Sequence, residues 1–425
     1  MGNLSVNPYC IRWGKFLNGE RMPFLVKRFI GTPLEDPTYW IMADRRALGM
    51  QPNTLENELR ALSFFYLWAD ARGIDIQRRL SDGVFFSLNE ITDLANFCGL
   101  YIGKAVSQIP SASSKAASLT DNRKTKRGQS GEKRNRLTAI YSFVEFTSAD
   151  HLSLLSPWPS RWGHYSAVRN ECLKTLGAQR KGGGRRNRDD MGQREGLDEN
   201  VLMRLRDVIN PDHPENPFEP QVRFRNYVII LLLLALGIRR GELCGLKVPD
   251  CSFGTNGTLT VHRRPDDPAD PRKNKPATKT AARLLPLNPM LSDLVHELIT
   301  YHRSKIPGAR LHPFLIVSCD TGKPMSLSNV NKIMERLRDA VSGLPDELSA
   351  HILRHSWNDW FSLRMDREGY SEENEVKWRM RLMGWRDPDT ARHYLRRTVR
   401  RRSDEVLRDM QDQLDIRGDG GMGRQ

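Results

Sequence analysis

The 425-residue sequence predicts a mainly α-helical protein with a small antiparallel β-sheet, an α+β fold built from two domains. Three observations lead to this prediction. Long stretches place apolar residues at helical spacing, two short strand-like segments stand close together in the second half, and a glycine-rich, charged segment separates two helical regions. We expect an N-terminal extension over residues 1–44, an all-α domain over 45–177, a flexible basic linker over 178–196, a second domain over 197–416 and a disordered tail over 417–425.

The first helical region follows an extension rich in aromatic residues, Pro and Gly, for which a strand pair and an irregular arm are both open. In TLENELRALSFFYLWADARG, Thr54 is placed to cap a helix and Gly73 to end it. Apolar residues at helical spacing lie between them, namely Leu55, Leu59, Leu62, Phe65 and Leu67. LNEITDLANFCGLYIGKAV and RLTAIYSFVEFTSA show the same pattern. The polar, basic SASSKAASLTDNRKTKRGQSGEKRNR between them predicts a mobile loop able to contact phosphates.

The second domain opens with helices, including the apolar stretch VIILLLLAL, which ends at Gly237. GTLTVHRR and ARLLPL are the strand candidates, separated by PDDPADPRKNKPATKT, and the pattern after Leu287 is helical to about residue 416. The last helix is expected to start at a capping Ser403. Its apolar stripe consists of Val406, Leu407, Met410 and Leu414.

Composition points to a polyanionic partner. Lys and Arg number 66 against 51 Asp and Glu, a formal charge of +15, which favours nucleic acid and leaves an anionic membrane surface as the rival. VIILLLLAL is too short to span a bilayer. None of the six cysteines forms a CxxC pair, so neither a zinc site nor a disulfide framework is indicated. We expect a cytoplasmic protein.

Two motifs contain arginines suited to binding an anion. In LALGIRRGELCGL, Arg239 directly follows the apolar helix and either pairs with Glu242 three residues later or serves a functional site. In LSAHILRHSWNDWF, His351 and Arg354 share a helix face and together can donate to phosphate oxygens. A core histidine beside a surface arginine is the plainer interpretation, and His355 is a competing candidate.

The segment PATKTAARLLPL places Lys279 just before a strand candidate, where a β-turn would project it from the sheet. A lysine there can protonate a leaving group, contact a phosphate backbone or simply be solvated. Lys273 and Lys275 are nearby alternatives.

A tyrosine and a tryptophan close the set. Trp385 and Tyr394 lie nine residues apart in LMGWRDPDTARHYLRR, and Tyr394 stands among six arginines in ARHYLRRTVRRR. A phenol has a pKa of about 10, and close cations favour its phenolate form. Tyr394 is therefore either a nucleophile or an incidental residue on a solvated basic helix, and Trp385 either serves the site or packs in the core.

Taken in order, these residues resemble the tyrosine recombinase (phage integrase) family. The family patterns G-L-R-x-x-E-L, H-x-L-R-H and L-G-H/W followed by Tyr appear here as GIRRGEL, HILRH and LMGW…HY. The resemblance covers residues 200–402. It extends more loosely to 45–177 as the family's core-binding domain, and the first 40 residues have no counterpart. Trp385 stands where many members carry His.

The resemblance implies a site-specific DNA recombinase, or integrase, that cuts and rejoins DNA without a metal or other cofactor. Tyr394 would attack a scissile phosphate, giving a 3′-phosphotyrosyl bond and a free 5′-hydroxyl. Arg239 and Arg354 would stabilise the charge on the phosphate. His351 would donate to the phosphate or manage the proton of the tyrosine, and Lys279 would protonate the departing 5′ oxygen.

Further implications concern supporting residues and partners. Trp385 would pack on the phosphate site and donate its indole N–H, while Glu242 would orient Arg239 and His351. The implied partner is double-stranded DNA, bound at two sites by a homotetramer, with accessory DNA-bending proteins possible and no membrane. The Ser403 helix would dock on a neighbouring protomer, or else pack on its own domain.

An inactive DNA-binding regulator and a type IB topoisomerase-like enzyme are the alternatives within this fold, and a basic RNA-binding or membrane-surface protein is the alternative outside it.

Overall fold

The structure of the chain is a computed structural model, and it describes residues 6–17, 20–109, 130–182, 196–254, 257–264, 267–272, 275–276, 278 and 280–416. By its internal contacts the chain divides into two compact units, Met1–Asp189 and Asp190–Gln425. Helices dominate both units, and the sheets are small and antiparallel, so the predicted fold class is confirmed.

The first unit begins with a β-hairpin. Strands β1 (Tyr9–Lys15) and β2 (Arg21–Lys27) pair antiparallel along their whole length. The hairpin buries Tyr9, Met22 and Leu25 in the same core as the helices that follow. Of the two possibilities for the first 40 residues, the structure shows the strand pair, packed as part of this unit.

The helices of the first unit are α1 (Glu35–Trp40), α2 (Pro52–Arg72), α3 (Ile76–Ser81), α4 (Leu88–Phe97), α5 (Ile102–Ser107), α6 (Ser130–Leu154) and α7 (Pro159–Gly182). A π-helical segment, Ile41–Arg46, continues α1. Helix α2 begins at Pro52 and not after a Thr54 cap, because proline fits the first helical turn, where its missing N–H is not needed. It ends at Gly73 as predicted, with a left-handed φ of 65°.

Two predicted flexible segments fall largely outside the described residues. Residues 111–129 of the predicted phosphate-contacting loop are not described, and its last part, from Ser130, is the start of α6. The predicted linker over 178–196 begins inside α7, and its residues 183–195 are not described. The predicted disordered tail, 417–425, also lies outside the described residues.

The second unit holds a small sheet within a helical shell. Its helices are α8 (Glu199–Val208), α9 (Pro220–Leu236), α10 (Arg240–Gly245), α11 (Pro289–Glu297), α12 (Leu327–Ala340), α13 (Ala350–Arg367), α14 (Glu372–Met383) and α15 (Pro388–Ile416). Its strands are β3 (Cys251–Ser252), β4 (Thr258–Val261) and β5 (Arg283–Pro286). Short helical turns are Val248–Asp250, Leu298–His302, Arg303–Lys305 and Ala309–Leu311.

The sheet has the antiparallel order β3-β4-β5, with Leu259 opposite Leu285 and Val261 opposite Arg283. The two predicted strand segments are β4 and β5. The sequence does not predict β3, because its two residues are too few to show a periodicity. In β5 the residues alternate between buried and exposed, and Arg283 lies on the buried side.

Helix α9 forms the centre of the second core. From Val228 to Leu234 every residue of the helix is buried. This part of the helix is therefore surrounded by protein, and its apolar residues do not form a single face. Helix α13 packs against it. This buried helix ends at Gly237, two residues before Arg239.

The C-terminal helix differs from the prediction. Helix α15 runs without a break from Pro388 to Ile416, so Ser403 lies inside it and does not cap a separate helix. Val406, Leu407 and Met410 are 58%, 54% and 59% exposed. The apolar stripe at these three positions is therefore not packed on its own unit. Among the described residues, no helix is long and apolar enough to cross a bilayer.

Candidate active site

Arg239 is placed by the end of α9. Gly237 ends that helix with a φ of 58°, and a Cβ at this position would lie 2.8 Å from the ring of Trp357. Because of this left-handed φ and the lack of space for a Cβ, the position requires glycine. The backbone N–H of Arg239 donates to Glu242 Oε2 at 2.9 Å, and its Nη1 lies 3.5 Å from Glu242 Oε1. The pairing with Glu242 that the spacing allows is present, and the Arg239 side chain is still 36% exposed and accessible to a ligand.

Glu242 is the buried centre of a hydrogen-bond cluster. Its Oε1 accepts a hydrogen bond from Thr280 Oγ1 at 2.6 Å, and its Oε2 accepts one from Arg283 Nη2 at 2.8 Å. Burial alone raises the pKa of this carboxyl, but the hydrogen bond and charge of Arg283, helped by Thr280 and the Arg239 N–H, lower it to about 2. Glu242 is therefore ionised at neutral pH and fixes the start of α10.

Arg283 connects three segments of the second unit. Besides Glu242 in α10, its Nε donates to the carbonyl of Leu382 at 2.6 Å and its Nη1 lies 3.0 Å from Thr280 Oγ1. Close by, the N–H of Ala281 donates to the carbonyl of Gly384 at 2.9 Å. The segment before β5 is thus bound to α10 on one side and to the end of α14 on the other.

The predicted catalytic lysine, Lys279, lies outside the described residues, as does Lys273. Lys275, the remaining alternative, donates from Nζ to the carbonyl of Asp267 at 2.8 Å. Thr280, the neighbour of Lys279 in the sequence, is buried and bonded to Glu242.

Arg354 is buried, with 2% of its surface exposed. Its Nη1 donates to the carbonyl of Gly237 at 2.5 Å. Burial, together with the positive charge of Arg239, lowers the pKa of Arg354 to about 9, which leaves it charged at neutral pH. Its Nη2 is buried and has no hydrogen-bond partner among the described residues. An unsatisfied buried donor costs about 1–3 kcal/mol, and an anion would satisfy this one.

The two histidines that compete in the sequence form one pair. His351 is exposed and His355 is buried, and their Nε2 atoms lie 3.1 Å apart. A hydrogen bond between them requires one ring to carry a proton on Nε2 and the other to be bare there. The ring of His355 also lies 5.7 Å from that of Tyr394. The histidine pair therefore extends from the exposed His351 to the ring of Tyr394.

Tyr394 is buried in a stack of rings. Its ring lies almost parallel to that of Trp385, with centroids 5.4 Å apart and planes at 14°. On Trp385 in turn lies the guanidinium of Arg354, with Cζ 5.4 Å from the ring centroid. The indole Nε1 of Trp385 is a second buried N–H without a hydrogen-bond partner among the described residues. Trp385 therefore packs on the tyrosine, and its indole N–H can still donate a hydrogen bond to a ligand.

The structure brings together the predicted site residues that it describes, namely Arg239, Glu242, His351, Arg354, Trp385 and Tyr394. The arrangement combines two guanidinium groups with a buried indole N–H beside one phenol. Such donors suit an anion whose charge is spread over several oxygens. Among the described residues there is no group of three or more His, Cys, Asp or Glu arranged to hold a metal ion.

Sequence reasoning missed three residues of this cluster, Thr280, Arg283 and Arg379. Arg379 is fully buried, and its Cζ lies 5.5 Å from the ring centroid of Tyr394. A signal existed for Arg379, which follows Glu375 by four residues on a helix, but such pairs are usually exposed. Nothing in the local pattern of β5 distinguishes Arg283 from a solvated arginine.

This set of residues, in this order and on this helical scaffold with its three-stranded sheet, defines the class of tyrosine recombinases. Residues 197–401 match the profile of the phage integrase family, so the chain contains a domain of that family. It is a tyrosine-type site-specific DNA recombinase. The match does not favour an inactive regulator or a topoisomerase-like enzyme.

Two solved recombinase structures match the chain. A Tn1549 transposon integrase in complex with transposon right end DNA matches with a TM-score of 0.50 and 16% identity, over 85% of this chain and 94% of that chain. A lambda integrase dimer bound to a COC′ core site matches with a TM-score of 0.44 and 14% identity, over 93% of this chain and 95% of that one. At 16% identity, the likeness to the Tn1549 integrase concerns the fold alone. No curated protein matches the chain by sequence.

Proposed function

We propose that this recombinase cuts and rejoins double-stranded DNA with Tyr394 as its nucleophile. The observation that carries the proposal is the pair of buried, unsatisfied donors, Arg354 Nη2 and Trp385 Nε1, beside the ring of Tyr394. A scissile phosphate supplies the acceptors that these donors lack. Arg239, paired with Glu242 yet partly exposed, would bind the same phosphate from the start of α10.

In the reaction that we propose, the phenol oxygen of Tyr394 attacks phosphorus and the bond to the 5′ oxygen breaks. The DNA 3′ phosphate stays on the tyrosine, and the 5′ oxygen leaves as a hydroxyl after taking a proton, which we assign to Lys279. His351 and His355, bonded to each other, would take the phenol proton. Attack by a 5′-hydroxyl then reverses each step and releases Tyr394, so the phosphodiester energy is kept and no cofactor is required.

The rest of the chain would bind DNA and support assembly. The net charge of +15 suits a duplex held largely by its phosphates. We propose that residues 45–177 act as the core-binding domain and residues 197–416 as the catalytic domain, joined by the 178–196 linker. The exposed stripe of Val406, Leu407 and Met410 supports docking of α15 on a neighbouring protomer, within a homotetramer on two DNA sites. Accessory DNA-bending proteins would be further partners of this assembly.

The test is covalent trapping on a duplex that carries a nick next to the cleavage point. A short fragment diffuses away after attack, so the protein stays attached to DNA. Wild-type protein should be trapped, and Tyr394→Phe should not be, although it should bind DNA with nearly unchanged affinity because only one hydroxyl is lost. Tyr370→Phe is the matched control, since Tyr370 is an exposed tyrosine of the same unit. Trapping of Tyr394→Phe at the wild-type level would overturn the assignment.

A further inference from the structure

Arg379 is a buried charged residue that has no role in the proposed reaction steps. It lies on α14 with none of its surface exposed. Removing a guanidinium from water is costly unless it is paired, and a buried ion pair often stabilises a fold no better than apolar residues would. Arg379 pairs with Glu375, which is itself 3% exposed. Stability alone is therefore a weak explanation for this buried pair.

The guanidinium of Arg379 is held in a fixed orientation. Its Nη2 donates to Ser362 Oγ at 2.6 Å, and the Ser362 hydroxyl donates to Glu375 Oε1 at 2.7 Å. Ser362 lies on α13, and both charged residues lie on α14. Because the guanidinium is fully buried and its Nη2 contacts both a carboxylate and a hydroxyl, it has little freedom to move.

This fixed cation lies on the ring of the proposed nucleophile. Arg379 Cζ is 5.5 Å from the ring centroid of Tyr394, and the same atom lies 5.2 Å from the ring of Phe361. Trp385 stacks on Tyr394, and Arg354 lies on Trp385. The contacts thus run in one series, from the cation of Arg354 through two stacked aromatic rings to the cation of Arg379. Cations are attracted to aromatic faces, and more so where water is excluded.

We propose that Arg379, oriented by Glu375 and Ser362, is a positioning residue that holds the ring of Tyr394 for attack. This inference rests on the proposed role of Tyr394 as the nucleophile. Arg379 reaches the reaction only through the tyrosine ring. A nucleophile displaced by about 1 Å can lose about 100-fold in rate, so the orientation of this one ring matters. In the proposed reaction Arg354 binds the phosphate, and Arg379 orients the phenol ring that attacks it.

The experiment measures the single-turnover rate of covalent trapping on the nicked duplex, at saturating full-length protein, together with DNA affinity and thermal stability. Arg379→Met alone leaves Glu375 buried and unpaired, so it should lose stability as well as activity. The decisive variant is Arg379→Met combined with Glu375→Leu, which removes both charges. It should regain stability and bind DNA normally, yet still cleave about 10-fold to 100-fold more slowly than wild type. Arg381→Met, an exposed arginine on the same helix, is the matched control and should cleave DNA at the wild-type rate.

Cleavage by the double variant at the wild-type rate would overturn the inference, because the pair would then serve stability only. If the double variant does not fold, Ser362→Ala gives the answer, since it keeps the charges and removes only the hydroxyl that orients them. We expect a slower rate at unchanged DNA affinity, and an unchanged rate would equally overturn the inference. Trapping of Tyr394→Phe would instead refute the nucleophile itself, so the two failures are distinguishable.

Discussion

Replacing Glu242 with Gln keeps the shape of the side chain and removes its charge. Arg283, whose side chain is 4% exposed, then keeps a buried positive charge without its carboxylate. The pKa of Glu242 falls from an ordinary 4.5 to about 2 in the folded protein. Each tenfold change in a proton-binding constant corresponds to about 1.4 kcal/mol, so the ionised form contributes about 3 kcal/mol to the free energy of unfolding.

The pH dependence of this contribution has a definite sign. A carboxyl whose pKa is depressed on folding stabilises the protein above its unfolded pKa, and this stability is lost as the pH falls through the folded pKa. The loss caused by Glu242→Gln should therefore be complete at pH 7 and should shrink as the pH falls from about 4.5 towards about 2.

The assay is urea unfolding of the full chain at pH 7, 5, 4 and 3. Because the chain has two compact units, hydrogen exchange of peptides from α9 and β5 in the same series identifies the transition of the second unit. Glu368→Gln is the matched control. Glu368 forms an exposed pair with Arg364 on α13, and its replacement should change stability by less than about 1 kcal/mol. A loss for Glu242→Gln that is as large at pH 3 as at pH 7 would refute the electrostatic reasoning.

Other predictions test the remaining parts of the site. Arg283→Met should cost about 3–5 kcal/mol, because it removes the close buried partner of Glu242 and leaves only the longer contact with the partly exposed Arg239. The loss is measured in the same urea series, and a loss below about 1 kcal/mol would contradict the central place of Arg283. Lys279→Ala should cleave ordinary DNA slowly but recover on a 5′-phosphorothiolate substrate, because sulfur leaves without a proton; equal defects on both substrates would point to Lys273, to Lys275 or to a simple backbone contact. Truncation after Arg402 should spare thermal stability and single-site binding but weaken assembly of two-site complexes in sedimentation and gel-shift experiments, and normal assembly would refute docking of the tail.

Much of the helical architecture can be predicted from the sequence, because the signals are local. The apolar run of α9, its glycine end and the helical spacing of α2 each depend on residues within a few turns. The pairing of Arg239 with Glu242 can also be predicted, because side chains three residues apart at the start of a helix lie close together. The predicted start of α2 at a Thr54 cap was wrong, since Pro52 begins the helix, and so was the separate C-terminal helix, because a residue able to cap a helix can equally lie inside one.

Only the tertiary structure decided which charges are buried and what they touch. Arg283 reaches Glu242 across 41 residues of chain and Leu382 across 99, and no local spacing encodes such contacts. Arg379 looks in the sequence like half of a solvated ion pair, yet α13 and α15 pack around it and place it on the ring of Tyr394. The residue types that can do the chemistry follow from their order along the chain. Their burial, and therefore their pKa values and their unsatisfied donors, follows from packing between helices and a strand that are far apart in the sequence.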